Sequence, residues 1–369
     1  MPTVPEATGL SETQRQIVEL ARDFARTRVE PHAAEWDRTA HFPRDVLDEL
    51  GKLGFLGMLA PEAHDGMALD TVSYLLALEE IAAADAGVAI AVSVHHAVQA
   101  LVLAHGTAAQ HDRWLGPLAR GESLAGMALG DGDPAAIECR AARSGEAWTL
   151  SGELPWVTNG GNADVMIVLA RSGESFTAFV VPTDTAGYRA GARVDKMGLR
   201  SASTVPVTLD KVRVSAESVL GEVSAGLNTS RLGTAITAVG VARRALEHAV
   251  TYSAERKQFG KAIREFEAVQ FKLADMATRT EAARALAHAA AARRDRGEDV
   301  AQHTGMAKLF ASETAMWVTI QAVQLFGGYG YMRDFPVEKL FRDAKGTELY
   351  DGTSEAQRVG VARTLYPGP

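Results

Sequence analysis

Residues 164–181 read Asp-Val-Met-Ile-Val-Leu-Ala-Arg-Ser-Gly-Glu-Ser-Phe-Thr-Ala-Phe-Val-Val. Two short runs rich in β-branched and aromatic residues, Asp164–Leu169 and Phe176–Val181, stand either side of a break containing Ser and Gly, the punctuation expected between strands. Similar runs occur at Ala147–Leu150, Pro155–Thr158 and Val205–Val214. Their lengths and turn residues predict a compact, mainly antiparallel β domain in the middle of the chain.

On both sides of this block the apolar spacing becomes helical. Ser11 with Gln14 fits a capping box, with Leu10 as a staple, and Ile17, Leu20, Ala21 and Phe24 then line one helix face. A second helix is predicted from Pro43, in the first helical turn, burying Val46, Leu47, Leu50 and Leu53. Further helical patterns cover Thr71–Ala84 and Val88–His105. From about Leu227 to Arg363 long segments such as Ala274–Arg294 carry few breakers and mixed-sign charges, as bundle helices do. The order α, β, α predicts an α+β fold with segregated layers. The expected domains are 1–121 (helical), 122–225 (β) and 226–369 (helical bundle).

Composition narrows the function classes. The 369 residues are 47% hydrophobic and 23% charged, ordinary for a globular protein. A net charge of −8 with interspersed cations argues against nucleic acid. The single cysteine, Cys139, excludes an internal disulfide and a multi-thiolate metal site. His95 and His96 have no acidic or Cys partners at ligand spacing, so no metal is expected. The first residues lack the apolar core of a secretory signal, and the apolar stretches are interrupted before a span is complete. The expectation is a soluble cytoplasmic protein without a membrane partner.

Seven segments then carry a resemblance: Ser93-Val-His-His96, Pro155-Trp-Val-Thr-Asn-Gly-Gly161, Lys196-Met-Gly-Leu-Arg-Ser-Ala-Ser-Thr204, Arg256-Lys-Gln-Phe-Gly260, Gln324-Leu-Phe-Gly-Gly-Tyr-Gly-Tyr331, Arg342-Asp-Ala-Lys345 and Tyr350-Asp-Gly-Thr-Ser-Glu355. In number, order and spacing the chain resembles the acyl-CoA dehydrogenase family from about residue 10 to 365. The resemblance implies that family's fold, a homo-oligomer (usually a tetramer), FAD as cofactor and an acyl-CoA substrate. It also implies an electron-transferring flavoprotein as acceptor.

It further implies site residues. Arg256, Gln258 and Phe259 would reach a neighbouring subunit's FAD, where a guanidinium suits a pyrophosphate; by itself Arg256 also reads as a helix-end charge. Gln324, Gly327 and Gly328 match a segment near the FAD adenosine, though they equally read as a helix end followed by a turn. Trp156, Val157 and Thr158 match the strand against the flavin ring, Leu129 and Gly130 a backbone segment facing it, and Thr353 and Glu355 further FAD contacts. Asn228, Arg231, Tyr350 and Gly352 fall on the substrate side. The catalytic carboxylate would be Asp351, removing the α proton of the thioester while the β hydrogen leaves as hydride to flavin N5.

Two departures accompany the match. Relatives carry Glu where this chain has Asp351, and the substitute is shorter by about 1.5 Å. Some relatives place the carboxylate just before the position of Arg231, but here that residue is Ser230. The loop after Ala125–Leu129 also reads Leu129-Gly-Asp-Gly-Asp-Pro-Ala-Ala136, shorter than the family's and without its Thr and Ser. Three readings follow. The first is dehydrogenation of a short or branched acyl-CoA, to which the Ser-Val-His-His segment also points. The second is a flavoprotein oxidase of another carbon acid, as in the nitroalkane oxidase branch. The third is a weakly active or inactive paralogue serving as a binding or assembly subunit.

Overall fold

The computed structural model describes residues 9–129, 137–221 and 223–366. Six helices precede the strands: α1 (Glu12–Phe24), α2 (Ala33–Thr39), α3 (Arg44–Lys52), α4 (Thr71–Ala84), α5 (Ala86–His105) and α6 (Ala108–Ala119). The capping box forms, with Ser11 N–H donating to the Gln14 side chain and Gln14 N–H to Ser11 Oγ. Pro43 caps α3 from outside instead of lying in its first turn. Val46, Leu47 and Leu50 are buried, but Leu53 is 41% exposed. The helix stops at Lys52 and the chain turns away at Gly54, whose φ is +83°.

The strands are β1 (Ala125–Ala128), β2 (Arg140–Ser144), β3 (Ala147–Thr158), β4 (Val165–Ser172), β5 (Ser175–Pro182), β6 (Tyr188–Ala190), β7 (Thr204–Ser215) and β8 (Val219–Gly221). They form one sheet in the order β6-β7-β3-β1-β4-β5-β8, with β2 against β3 and β4. Pairing is antiparallel except where β4 meets β1 and β2. Two predicted strands, Ala147–Leu150 and Pro155–Thr158, are one continuous β3. Its register against β7 shifts between Leu150 and Gly152 and again between Leu154 and Val157. Pro155 falls in the second irregularity, where a missing N–H breaks no ladder bond.

Five helices complete the chain: α7 (Ser224–Glu255), α8 (Glu267–Asp295), α9 (Ala301–Phe326), α10 (Val337–Leu349) and α11 (Ser354–Leu365). A hairpin, β9 (Lys257–Gln258) and β10 (Lys261–Ala262), follows α7. By length and composition α5 could cross a bilayer, yet it is buried almost throughout, against α4, α7 and β1. Two glycines of α7 allow the close approach. A Cβ at Gly233 would overlap Ser93 Oγ of α5, and one at Gly240 would stand 2.6 Å from Ala82 of α4.

Two motifs distant in sequence meet where the three blocks join. The Asp343 carboxylate accepts from Leu199 N–H at 2.6 Å and from Lys339 Nζ at 2.7 Å, and Lys339 also donates to Asp85. Arg342 grips Asp37 of α2 with two nitrogens, at 2.9 and 2.6 Å. His95 and His96 are packing residues. The first accepts from Ala125 N–H at Nδ1 (3.2 Å) and donates from Nε2 to Leu118 O (3.0 Å); the second donates to Phe55 O. Among the described residues no group of three His, Cys, Asp or Glu could hold a metal ion. Cys139 is fully buried.

Candidate active site

Asp351 lies in the tight turn between α10 and α11. Tyr350 ends α10 with extended backbone, Asp351 has φ +56° and Gly352 φ +84°. Thr353 caps α11, its side chain accepting from Ala356 N–H. A left-handed aspartate is tolerable because its short polar side chain suits that region better than most. The turn is fastened from below. Lys308 of α9, fully buried, donates to the carbonyls of Gly352 (2.7 Å) and Glu348 (3.0 Å). Gln357 Nε2 donates to the carbonyl of Asp351 at 2.8 Å.

The carboxylate of Asp351 points onto α7. Ser230 Oγ donates to Oδ1 at 2.7 Å and Thr234 Oγ1 to Oδ2. Burial pushes the Asp351 carboxyl above the usual carboxylate range, and the two hydroxyls, Lys308 and Arg231 offset this only in part. Among the described residues it makes no ion pair, and its own backbone N–H has no acceptor. Arg231 stands nearby with its Nε buried and unpartnered; burial lowers its pKa and the Asp351 charge raises it. Burial also brings Lys308 down to about 8.

The β domain meets this turn at the end of β3. The Tyr350 hydroxyl lies beside Thr158, and burial raises its pKa well above the phenol range. Thr158 is almost fully buried, whereas Trp156, in the irregular stretch two residues back, is 62% exposed. Val157 points the other way into the β core, as strand alternation requires. Leu129 is also a core side chain. Both could meet a ligand through backbone only. Gly130 lies outside the described residues, as does the rest of the shortened loop. Asn159, from the same motif, is structural: its Nδ2 bridges the carbonyls of Ala91 and Ala125.

A second group of expected residues lies elsewhere. Arg256, Gln258 and Gly328 line a cleft of about 460 Å³ together with Tyr252, Tyr329 and Asp334. The Arg256 guanidinium lies over the Tyr329 ring at 5.6 Å and has no carboxylate partner among the described residues. Phe259 is 92% exposed. A Cβ on Gly327 or Gly328 would meet nothing within 4 Å, so the backbone there is open to a ligand. Gln324 is exposed beside it, its carbonyl accepting from Gly327 N–H. None of the residues lining this cleft is a partner of Asp351, so one chain carries two separate patches. Glu355 lies exposed in the first turn of α11, and Asn228 accepts from Thr304 Oγ1 at 3.1 Å.

Asp351 and Arg231 stand out in the sequence, whereas Thr234, Lys308 and Gln357 do not, and Ser230 reads there only as the lack of a second carboxylate. The available signals were weak: two hydroxyls four residues apart on one helix face, and a lone lysine in the apolar run Met306–Ala311.

Helical blocks on either side of a β sheet, with the turn of Asp351 packed on α7, form an architecture shared with solved acyl-CoA dehydrogenases. Similar chains of that fold include butyryl-CoA dehydrogenase from Megasphaera elsdenii (36% identical, covering 98% of this chain and 100% of that one, TM-score 0.94). A glutaryl-CoA dehydrogenase from Mycobacterium smegmatis in complex with FADH2 is 30% identical, with 97% and 96% covered and a TM-score of 0.92. The short-chain specific mitochondrial acyl-CoA dehydrogenase of Bos taurus is 38% identical over 98% of this chain and 92% of its own. The acyl-CoA dehydrogenase N-terminal, middle and C-terminal domain families match residues 11–122, 130–212 and 221–366. The chain therefore belongs to the acyl-CoA dehydrogenase family, whose members are FAD-dependent oxidoreductases.

Proposed function

We propose that the chain catalyses α,β-dehydrogenation of a short or branched acyl-CoA thioester, with Asp351 as the base. The observation that carries this reading is a buried carboxylate, held by two hydroxyls and by no cation in contact among the described residues, on a turn whose Tyr350 hydroxyl lies beside Thr158. Such a group stays basic enough to take a carbon-bound proton near neutral pH. The free N–H of Asp351 is a donor for the thioester carbonyl, which acidifies the α carbon as oxyanion stabilisation does. Arg231, its Nε unpartnered, serves the substrate side with Asn228, Tyr350 and Gly352.

The residues present fit FAD. Trp156 offers an exposed indole face, Arg256 a cation without a carboxylate partner among the described residues, and Gly327 and Gly328 an open backbone. Bound FAD would accept the β hydrogen as hydride. Gln324, Thr353 and Glu355 would complete its site, with Arg256, Gln258 and Phe259 serving the FAD of a second copy of the chain in a tetramer. A similar chain, 36% identical with a TM-score of 0.95, was solved in work on the electron transferring flavoprotein of Acidaminococcus fermentans, which supports such a flavoprotein as electron acceptor.

The test is anaerobic titration of the purified yellow protein with butyryl- and isobutyryl-CoA. Bleaching of the flavin that Asp351→Asn abolishes supports the reading, and bleaching that survives the substitution overturns the base assignment. Reoxidation by oxygen faster than by a flavoprotein acceptor would favour the oxidase alternative.

A further inference from the structure

We infer that Ser230 and Thr234 are positioning residues that hold the Asp351 carboxylate in one orientation and so make an aspartate workable where a longer base would reach further. This rests on the reading of Asp351 as the base.

The choice of partners on α7 carries the argument. Buried hydroxyls elsewhere on this helix bond within it: Thr229 donates to Ala225 O and Thr237 to Gly233 O, each four residues back. Ser230 and Thr234 share that helix and that option, yet both donate across to Asp351, one to each carboxylate oxygen. Being four residues apart they lie on one face, one turn above the other. Two bonds to two oxygens fix both side-chain torsions of the aspartate and leave each oxygen a second lone pair for the incoming proton.

The donors are neutral, which matters for a base. A cation in contact lowers a carboxyl pKa by about 1–3 units, and would acidify the group that must accept a proton. Among the described residues the charged or titratable groups that act on Asp351 are Arg231 on α7, Lys308 on α9 (occupied by two carbonyls), Tyr350 on the turn and Tyr74 on α4, and none forms an ion pair with it. Hydroxyls therefore set the position while perturbing basicity less than a guanidinium would. An aspartate that lost this hold would swing by about 1 Å, enough to cost on the order of a hundredfold in rate.

The experiment compares wild type with Ser230→Ala, Thr234→Val and the double variant, all as FAD-loaded protein. Flavin reduction by butyryl-CoA is followed under anaerobic conditions across pH. The double variant is expected to reduce about tenfold to a hundredfold more slowly, with its acid limb moved to higher pH because two bonds to the ionised form are gone. Thr234→Ser, which keeps the hydroxyl, restores both. In parallel, the carboxyl signal of 13C-aspartate, assigned by its loss in Asp351→Asn, should titrate at higher pH in the double variant, with or without substrate. If the rate stays within about threefold, the acid limb does not move and the carboxyl signal titrates unchanged, the hydroxyls only fill space and the inference is wrong. Should the double variant fail to hold FAD, the near-isosteric Thr234→Val and its serine counterpart carry the same comparison. Full activity of Asp351→Asn would overturn the base reading instead, while the carboxyl titration would still report on the cradle.

Discussion

Lys308 Nζ lies 2.7 Å from the carbonyl oxygen of Gly352, so a buried cation on α9 holds the turn that carries Asp351. It reaches Glu348 O on the other side of that turn as well. Lys308→Met leaves both carbonyls without this donor and should cost about 1–3 kcal/mol of stability, with slower flavin reduction. Its pH dependence has a definite sign. Burial lowers Lys308 from its ordinary value to about 8, so between about 8 and the ordinary lysine value the unfolded chain binds a proton that the folded chain does not. Stability from this group therefore rises with pH over that window. Urea unfolding at pH 8 and pH 10 should show the gain in wild type and its loss in Lys308→Met.

The buried histidine pair predicts acid sensitivity. Burial holds His95 down to about 3 and His96 to about 4. As pH falls below about 6.5 the unfolded chain takes up protons that the folded chain refuses. Each histidine then removes up to about 1.4 kcal/mol per pH unit until its folded value is reached. Unfolding free energies at pH 7, 6 and 5 should fall more steeply in wild type than in His96→Gln, and equal slopes would contradict this.

Arg256 is predicted to act on cofactor and not on fold. Its guanidinium lies over the Tyr329 ring and makes no ion pair among the described residues, so Arg256→Ala should change stability of the flavin-free protein by about 0.5–1 kcal/mol at most. Flavin retained through gel filtration should drop sharply. Arg256→Lys should recover little of it, since an ammonium lacks the paired donors of the guanidinium.

Gly233 is predicted to be intolerant of a side chain. An added Cβ would overlap Ser93 Oγ and stand 3.0 Å from the Tyr74 hydroxyl. Gly233→Ala should cost about 1–3 kcal/mol by overpacking. Removing the obstacle in Gly233→Ala/Ser93→Gly should cost less than the sum of the two single changes in chemical denaturation, because the sites touch.

Much of the architecture was legible. The capping box at Ser11 and Gln14, the strand runs about Asp164–Val181 and the helical texture after Leu227 are local signals, and local backbone preferences follow them. The break expected between Leu150 and Pro155 was misleading, because glycine and proline mark bulges as readily as turns, and the pairing partner β7 decides which. Leu53 lies exposed just past the end of α3, and periodicity alone does not say where a helix stops. Among the candidate site residues, Asp351 is singled out by its motif, while the Val157 and Leu129 side chains face the core.

The amino-acid order by itself determined the α, β, α succession, the family, and the presence of an aspartate before Gly352. It did not determine what that aspartate touches. Whether Ser230 and Thr234 bond to their own helix or to Asp351, and whether Lys308 reaches a turn 44 residues further on, depends on which acceptor lies within hydrogen-bonding distance. That distance is set by how closely α7 and α9 pack against their neighbours, a property of the assembled helices that no stretch of either one contains.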